Sequence, residues 1–159
     1  MQTAGFDPER FWRRFASEGH NGLLQLQYVS HGTAHVVLRA PRLPGLGTTR
    51  GLGAPRELLT PDAEIFPDGV LISLLDMAGT LAVWTRLGHF RPHATLDLRV
   101  DHIEAIRAGA ELEAYAECYH LTEQVAYVRG NAYVRGNADA GGNATVATLS
   151  ATYVFTDQS

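Results

Sequence analysis

The residue most able to do chemistry in this sequence is Asp76, a carboxylate set in Leu71-Ile72-Ser73-Leu74-Leu75-Asp76-Met77-Ala78, the most apolar stretch of the chain. Burying an ionised carboxylate without partners is expensive, so Asp76 must be hydrogen-bonded, protonated or facing a wet cleft. A structural aspartate, bonded to backbone or to a partner subunit, would meet the same constraint. Ser73, Asp76 and Thr80 stand at i, i+3 and i+7, which places them on one helical stripe and makes that stripe a candidate active wall. Pro67-Asp68-Gly69 opens the same helix. Backbone N–H groups there sit at the positive end of the macrodipole and can hold a carbonyl oxygen as negative charge develops on it. Every helix has such an end, and Asp68 in the first turn is also ordinary capping chemistry.

Other chemistries find less support. Seven histidines raise the question of a metal. His31 and His35 flank a turn, while His89 and His93 lie four apart around Pro92, which argues against a continuing helix. With one cysteine there is no thiolate cluster, so neither a metal nor a cofactor is expected. Cys118 falls in a strand and reads as a core or edge residue, with nothing nearby to activate it. The sequence has no Gly-x-Ser-x-Gly elbow, no phosphate-binding Gly-Lys-Ser/Thr loop and no Gly-x-Gly-x-x-Gly after a strand.

The elements that would position these residues follow from periodicity. Asp7-Pro8, with Phe11, Trp12 and Phe15 at helical spacing, predicts a short amphipathic helix over 7–18 that Gly19 stops. Alternation from Leu23, with Leu24, Leu26 and Tyr28 on one face, a break at His31-Gly32 and a run from Ala34 to Ala40, predicts a hairpin. Residues 41–60 are rich in Pro and Gly and predict an irregular excursion, a mobile loop or a lid. A central helix over 68–87, closed by Gly88, is apolar on nearly every side, so something must wrap it. Four strands follow, near 94–100, 110–119, 124–137 and 145–155. The third contains an exact tandem repeat of Ala-Tyr-Val-Arg-Gly-Asn at 126–131 and 132–137, whose even period keeps its small residues on one face, where a helix or a neighbouring subunit could come close. The order gives an α+β class: an antiparallel sheet of about six strands curled around one helix, in a single domain over 1–159.

Composition narrows the partners. A net charge of −4 leaves no basic footprint, so nucleic acid is not expected as a partner. The N-terminal residues are too charged for a signal peptide, and the apolar run Val70 to Trp84 is short of the roughly 20 residues that cross a bilayer. A cytoplasmic protein without membrane contact is the expectation.

The element order and several stretches together resemble the hotdog-fold acyl-CoA thioesterases of the phenylacetate-pathway (PaaI-like) type. The resemblance rests on Asp68 to Ala78, on Ala94-Thr95-Leu96-Asp97-Leu98-Arg99-Val100 and on Gly109-Ala110-Glu111-Leu112-Glu113-Ala114, and continues through the last two strands. It implies a homodimer joined edge to edge, often paired into a tetramer, with the active site between subunits. It further implies that an N–H at the helix start, in the Asp68-Gly69 region, polarises the carbonyl of an acyl thioester, and that Asp76 of the partner chain acts as general base or nucleophile. Thr95 matches a position that in some members orients the attacking water. Family members commonly read His-Gly-Gly where this chain has Pro67-Asp68-Gly69, and carry an Asn near the position of Thr60. Thr60, Ser73 and Thr80 are the expected substrate contacts, with Arg91 and Arg107 as candidate partners of the CoA phosphates. Two alternatives stay open: a hotdog protein that binds an acyl thioester or another apolar ligand without hydrolysis, and a dehydratase in which His89, His93 or His102 opposes an acid.

Overall fold

The computed structural model describes residues 6–41, 66–107, 110–135 and 144–157. Thr60 and nearly all of the 41–60 excursion therefore lie outside the described residues.

Helix α1 spans Pro8–Phe15, with the Asp7 carboxylate accepting the Arg10 N–H at 3.0 Å, the cap that Asp7-Pro8 announces. The expectation of one helix over 7–18 needs correction. Gly19 does not end the segment but opens a second short helix, α2 (Gly19–Leu24), which closes on Gln25 in the left-handed region at φ 50°. The apolar spacing of Leu24 and Leu26 suggested a strand from Leu23; both are buried, but strand β1 starts only at Gln27 and runs to His31. It pairs antiparallel with β2 (His35–Ala40), as the hairpin reading required.

Helix α3 spans Asp68–Leu87 and stops at Gly88, whose φ of 72° places it in the left-handed region that closes helices. Strands β3 (His93–His102), β4 (Leu112–Leu121), β5 (Val125–Val134) and β6 (Ala144–Phe155) complete one six-stranded antiparallel sheet in the order β1-β2-β4-β5-β6-β3. The sheet wraps α3, whose Leu71, Leu74, Leu75, Ala78, Leu81, Ala82 and Val83 are wholly buried. By length and composition this helix could also cross a bilayer. Its apolar surface is instead used inside the sheet.

The small-residue face of the tandem repeat answers to the helix. Ala126, Val128 and Ala132 are buried toward the core, while Arg129 and Tyr133 on the other face bind Glu117 and Glu113 of β4. The helix makes a matching concession at Gly79, where a Cβ would lie 2.2 Å from the hydroxyl oxygen of Tyr153. Gly79→Ala is therefore expected to lower stability by about 1–3 kcal/mol through overpacking. Adding Tyr153→Phe should recover part of that loss in thermal denaturation, because the atom met most closely is gone; a double variant no more stable than Gly79→Ala would contradict this packing account.

Candidate active site on the central helix

Asp76 is half-buried on α3 and its Oδ1 is held by two hydroxyls from the neighbouring strands. Thr95 Oγ1 of β3 donates to it at 3.0 Å. The Tyr153 hydroxyl of β6 donates at 3.1 Å and also lies 3.2 Å from the Asp76 carbonyl oxygen, so its proton is shared between the two acceptors. Among the described residues, no group donates to Oδ2. The carboxylate is thus anchored by one oxygen and presents the other.

A β-bulge is what lets Thr95 reach the helix. In β3, Thr95 pairs with Tyr153 and Asp97 with Thr152, so Leu96 is the extra residue. Leu98 and Val100 pack on the core, and simple alternation from them would turn Leu96 inward and Thr95 away. The bulge resets the phase: Leu96 stands 64 % exposed, and Thr95 joins its cross-strand partner Tyr153 on the helix side.

Tyr153 was not among the residues singled out from sequence. Its signal was a lone aromatic hydroxyl in the inward series Leu149, Ala151, Tyr153 and Phe155, because a buried phenol must find an acceptor. Burial, then the negative charge and hydrogen bond of Asp76, push the phenol far above its ordinary range, against a smaller opposing effect of Thr80. His20 was also missed. Its Nε2 lies 2.9 Å from Ser73 Oγ, which ties α2 to the stripe of α3 that carries Asp76.

At the helix start, Pro67 carries no N–H and the Val70 N–H closes on the Pro67 carbonyl at 3.0 Å, so Asp68 and Gly69 are left with the outward N–H groups of the first turn. A Cβ on Gly69 would meet nothing within 4 Å, and Asp68 is exposed. A cavity of about 260 Å³ opens beside this turn, lined by Phe66, Asp68 and the segment His102 to Ile106.

The two arginines differ in their surroundings. Arg91 is engaged within the chain: its Nε binds Asp157 at 2.8 Å, Nη1 donates to the Glu123 carbonyl at 3.0 Å, and the guanidinium lies 3.9 Å from the Phe155 ring centre. It therefore clamps the end of β6, and holds the Asp157 carboxyl below its usual range. Arg107 is exposed in the loop after β3. Thr80 is half-buried beside the Tyr153 phenol.

Among the other groups, His93 packs against Trp84 and Tyr153, and its Nε2 is buried with no hydrogen-bond partner among the described residues. Burial lowers its proton affinity, and the Arg91 carbonyl and Asp76 oppose that only in part. His89 is exposed and bonded to the Leu87 carbonyl, away from Asp76. His31 is bonded to Tyr28, and His35 packs at a tilt against Tyr115.

Comparison with known proteins brings the sequence and the fold together. The family model described as "Thioesterase superfamily" matches residues 68–140, from the start of α3 past the end of β5. Over that region the chain is similar to the thioesterase superfamily, and its six-stranded antiparallel sheet around one long helix is a hotdog fold. The hotdog chain is also similar to solved structures. A thioesterase family protein from Silicibacter pomeroyi superposes with a TM-score of 0.70 at 17 % identity, over 92 % of this chain and 94 % of that one. A thioesterase from Haemophilus influenzae gives 0.69 at 16 % identity, over 97 % and 94 %. A mutant of the phenylacetic acid degradation protein PaaI from Thermus thermophilus gives 0.63 at 22 % identity, over 84 % and 96 %. These likenesses are of fold. No curated protein matches the chain.

Cys118 is wholly buried in the hotdog core, and burial is the main cause that pushes its thiol up to about 11. The neutral thiol therefore dominates at any pH below that value, and the thiolate is the reactive form. Cys118 is expected to resist alkylation of the native protein at pH 8 and to react on denaturation, as thiol titration would show; rapid native labelling would contradict its burial.

Proposed function

We propose that this hotdog chain hydrolyses an acyl thioester, with an acyl-CoA as the first substrate class to test, at a site shared by two subunits. The observation that carries the reading is the Asp76 carboxylate, anchored through Oδ1 by Thr95 and Tyr153 with Oδ2 left to act. In this mechanism Asp76 takes a proton from water as the water oxygen bonds to the acyl carbon. The N–H groups of Asp68 and Gly69 receive the charge that develops on the carbonyl oxygen. The C–S bond then breaks, giving the free acid and a thiol that takes up the proton. The thioesterase-superfamily match over the same helix supports this assignment.

Helix geometry supports a shared site. Gly69 and Asp76 are seven positions apart on α3, about 10 Å along the axis at about 1.5 Å per residue. An oxyanion donor and a water attacking the same carbonyl stand roughly 6–7 Å apart, and a carboxylate that takes the water's proton lies up to about 3 Å further on. One helix would have to span that whole distance with the thioester laid along it, and in this proposal the partner's helix supplies the second group instead. Strand β3 offers the means of joining: it is a ten-residue sheet edge with Leu96 exposed, a template for pairing with a second chain. A homodimer is the minimum assembly in this proposal, with a tetramer as a pair of such dimers.

The second reading, dehydration of a hydroxyacyl thioester, has one observation in its favour: His102 and Asp68 line the same cavity, a base and an acid in one pocket. Hydration of an enoyl-CoA by the protein would select it.

The test is release of free thiol from short, long and aromatic acyl-CoAs. Asp76→Asn is expected to lower kcat by about a hundredfold or more, the usual size of a general-base contribution; an unchanged rate would remove Asp76 from the mechanism. Gly69→Pro removes one of the two helix-start N–H groups while remaining tolerable in a first helical turn. Mixed with Asp76→Asn under exchange conditions, it should recover about a quarter of the wild-type rate, since half the dimers are mixed and each holds one intact site. Two inactive variants that stay inactive together would argue against the shared site.

A further inference from the structure

We propose that Tyr153 is a positioning residue of this site: with Thr95 it pins Oδ1 of Asp76, so that Oδ2 is the oxygen offered to the reaction. The inference rests on the thioesterase reading of Asp76. Three features of the chain carry it. The first is convergence, since hydroxyls from two different strands meet on one oxygen, at 3.0 Å from Thr95 and 3.1 Å from Tyr153. Two donors on one carboxylate oxygen fix the plane of the group as well as its distance.

The second is the room made for the phenol. Tyr153 is wholly buried, and its hydroxyl occupies the space that a Cβ at position 79 would take, at 2.2 Å. Gly79 lies three residues beyond Asp76 on α3. The helix thus lacks a side chain where the phenol must pass to reach the carboxylate. The third is the bulge at Leu96, which places Thr95 directly across from Tyr153. Strand pairing holds the two donors as a unit, and in doing so turns an apolar side chain toward solvent.

A buried tyrosine that only filled the core would give a different outcome when its hydroxyl is removed. Tyr153→Phe keeps the ring and deletes the donor. It is expected to lower kcat roughly tenfold to a hundredfold, the effect of losing one hydrogen bond to a charged group, with KM unchanged within about twofold. In an Asp76→Asn background the same substitution should change kcat by less than about twofold, because its effect passes through the carboxylate. Gly79→Ala, which keeps the phenol but drives it from its place, should reproduce the kcat loss.

A second readout is independent of turnover. The carboxyl ¹³C resonance of Asp76, identified by its absence in Asp76→Asn, should move in Tyr153→Phe and in Thr95→Val. An unmoved resonance in Tyr153→Phe overturns the anchoring, and a kcat within twofold of wild type overturns the positioning role. An equal kcat loss in the Asp76→Asn background overturns the route through Asp76. If wild type releases no thiol from any acyl-CoA, the thioesterase reading fails by itself, and the resonance still decides whether Tyr153 and Thr95 hold the carboxylate.

Discussion

A carboxylate in the middle of an apolar helix is the constraint around which this protein is arranged. Asp76 stands beside the buried Leu74, Leu75 and Ala78 and needs donors, and the backbone of α3 has none to give, because its N–H groups are used within the helix. The donors come from β3 and β6, which adjoin each other at one end of the sheet. Satisfying Asp76 therefore fixes how that end of the sheet sits against the helix. The need is mutual, since the buried Tyr153 hydroxyl also requires an acceptor and finds it in the same carboxylate. Each such bond to a charged group contributes about 1.5–3 kcal/mol, and leaving either partner alone would cost a comparable amount.

A second acid in the chain shows what a purely structural carboxylate looks like. Glu113 of β4 is buried, and its Oε1 takes Arg39 at 2.6 Å while Oε2 accepts the Tyr133 hydroxyl at 2.9 Å. Burial, followed by the hydrogen bond and charge of Glu113, pushes that phenol up to about 12. Both oxygens of Glu113 are occupied and its charge is balanced by a guanidinium. Asp76 is treated differently: neutral hydroxyls hold one oxygen, and no cation among the described residues pairs with the group.

The helix start makes the complementary contribution. Proline at position 67 removes one donor and Val70 turns back on Pro67, which concentrates the available N–H groups at Asp68 and Gly69, beside an open cavity. The Asp68 carboxylate lies near the place where an oxyanion would form, so this hotdog chain pairs helix-dipole stabilisation with a competing negative charge. Two turns of helix separate this end from Asp76, and in the proposed chemistry a second subunit closes that span.

The sequence alone determined the elements whose signals are local. Hydrophobic periodicity and Gly88 gave α3 its span, alternation gave the strands, and the odd carboxylate among leucines marked Asp76. Local signals misled at Gly19, where a glycine suited to ending one helix opens another, and at Leu24 and Leu26, whose spacing fits a strand although Leu24 ends a helix. The partners of Asp76 were decided by tertiary structure. Thr95 is out of phase with Leu98 and Val100 in a regular strand and comes inward only through the bulge at Leu96, a register shift that depends on how β3 meets β6. Tyr153 lies 77 residues from Asp76 and meets it because Gly79 leaves a gap facing β6. Residue type and spacing state which group needs a partner; which distant residue supplies it depends on the register and approach of elements that only the folded chain brings together.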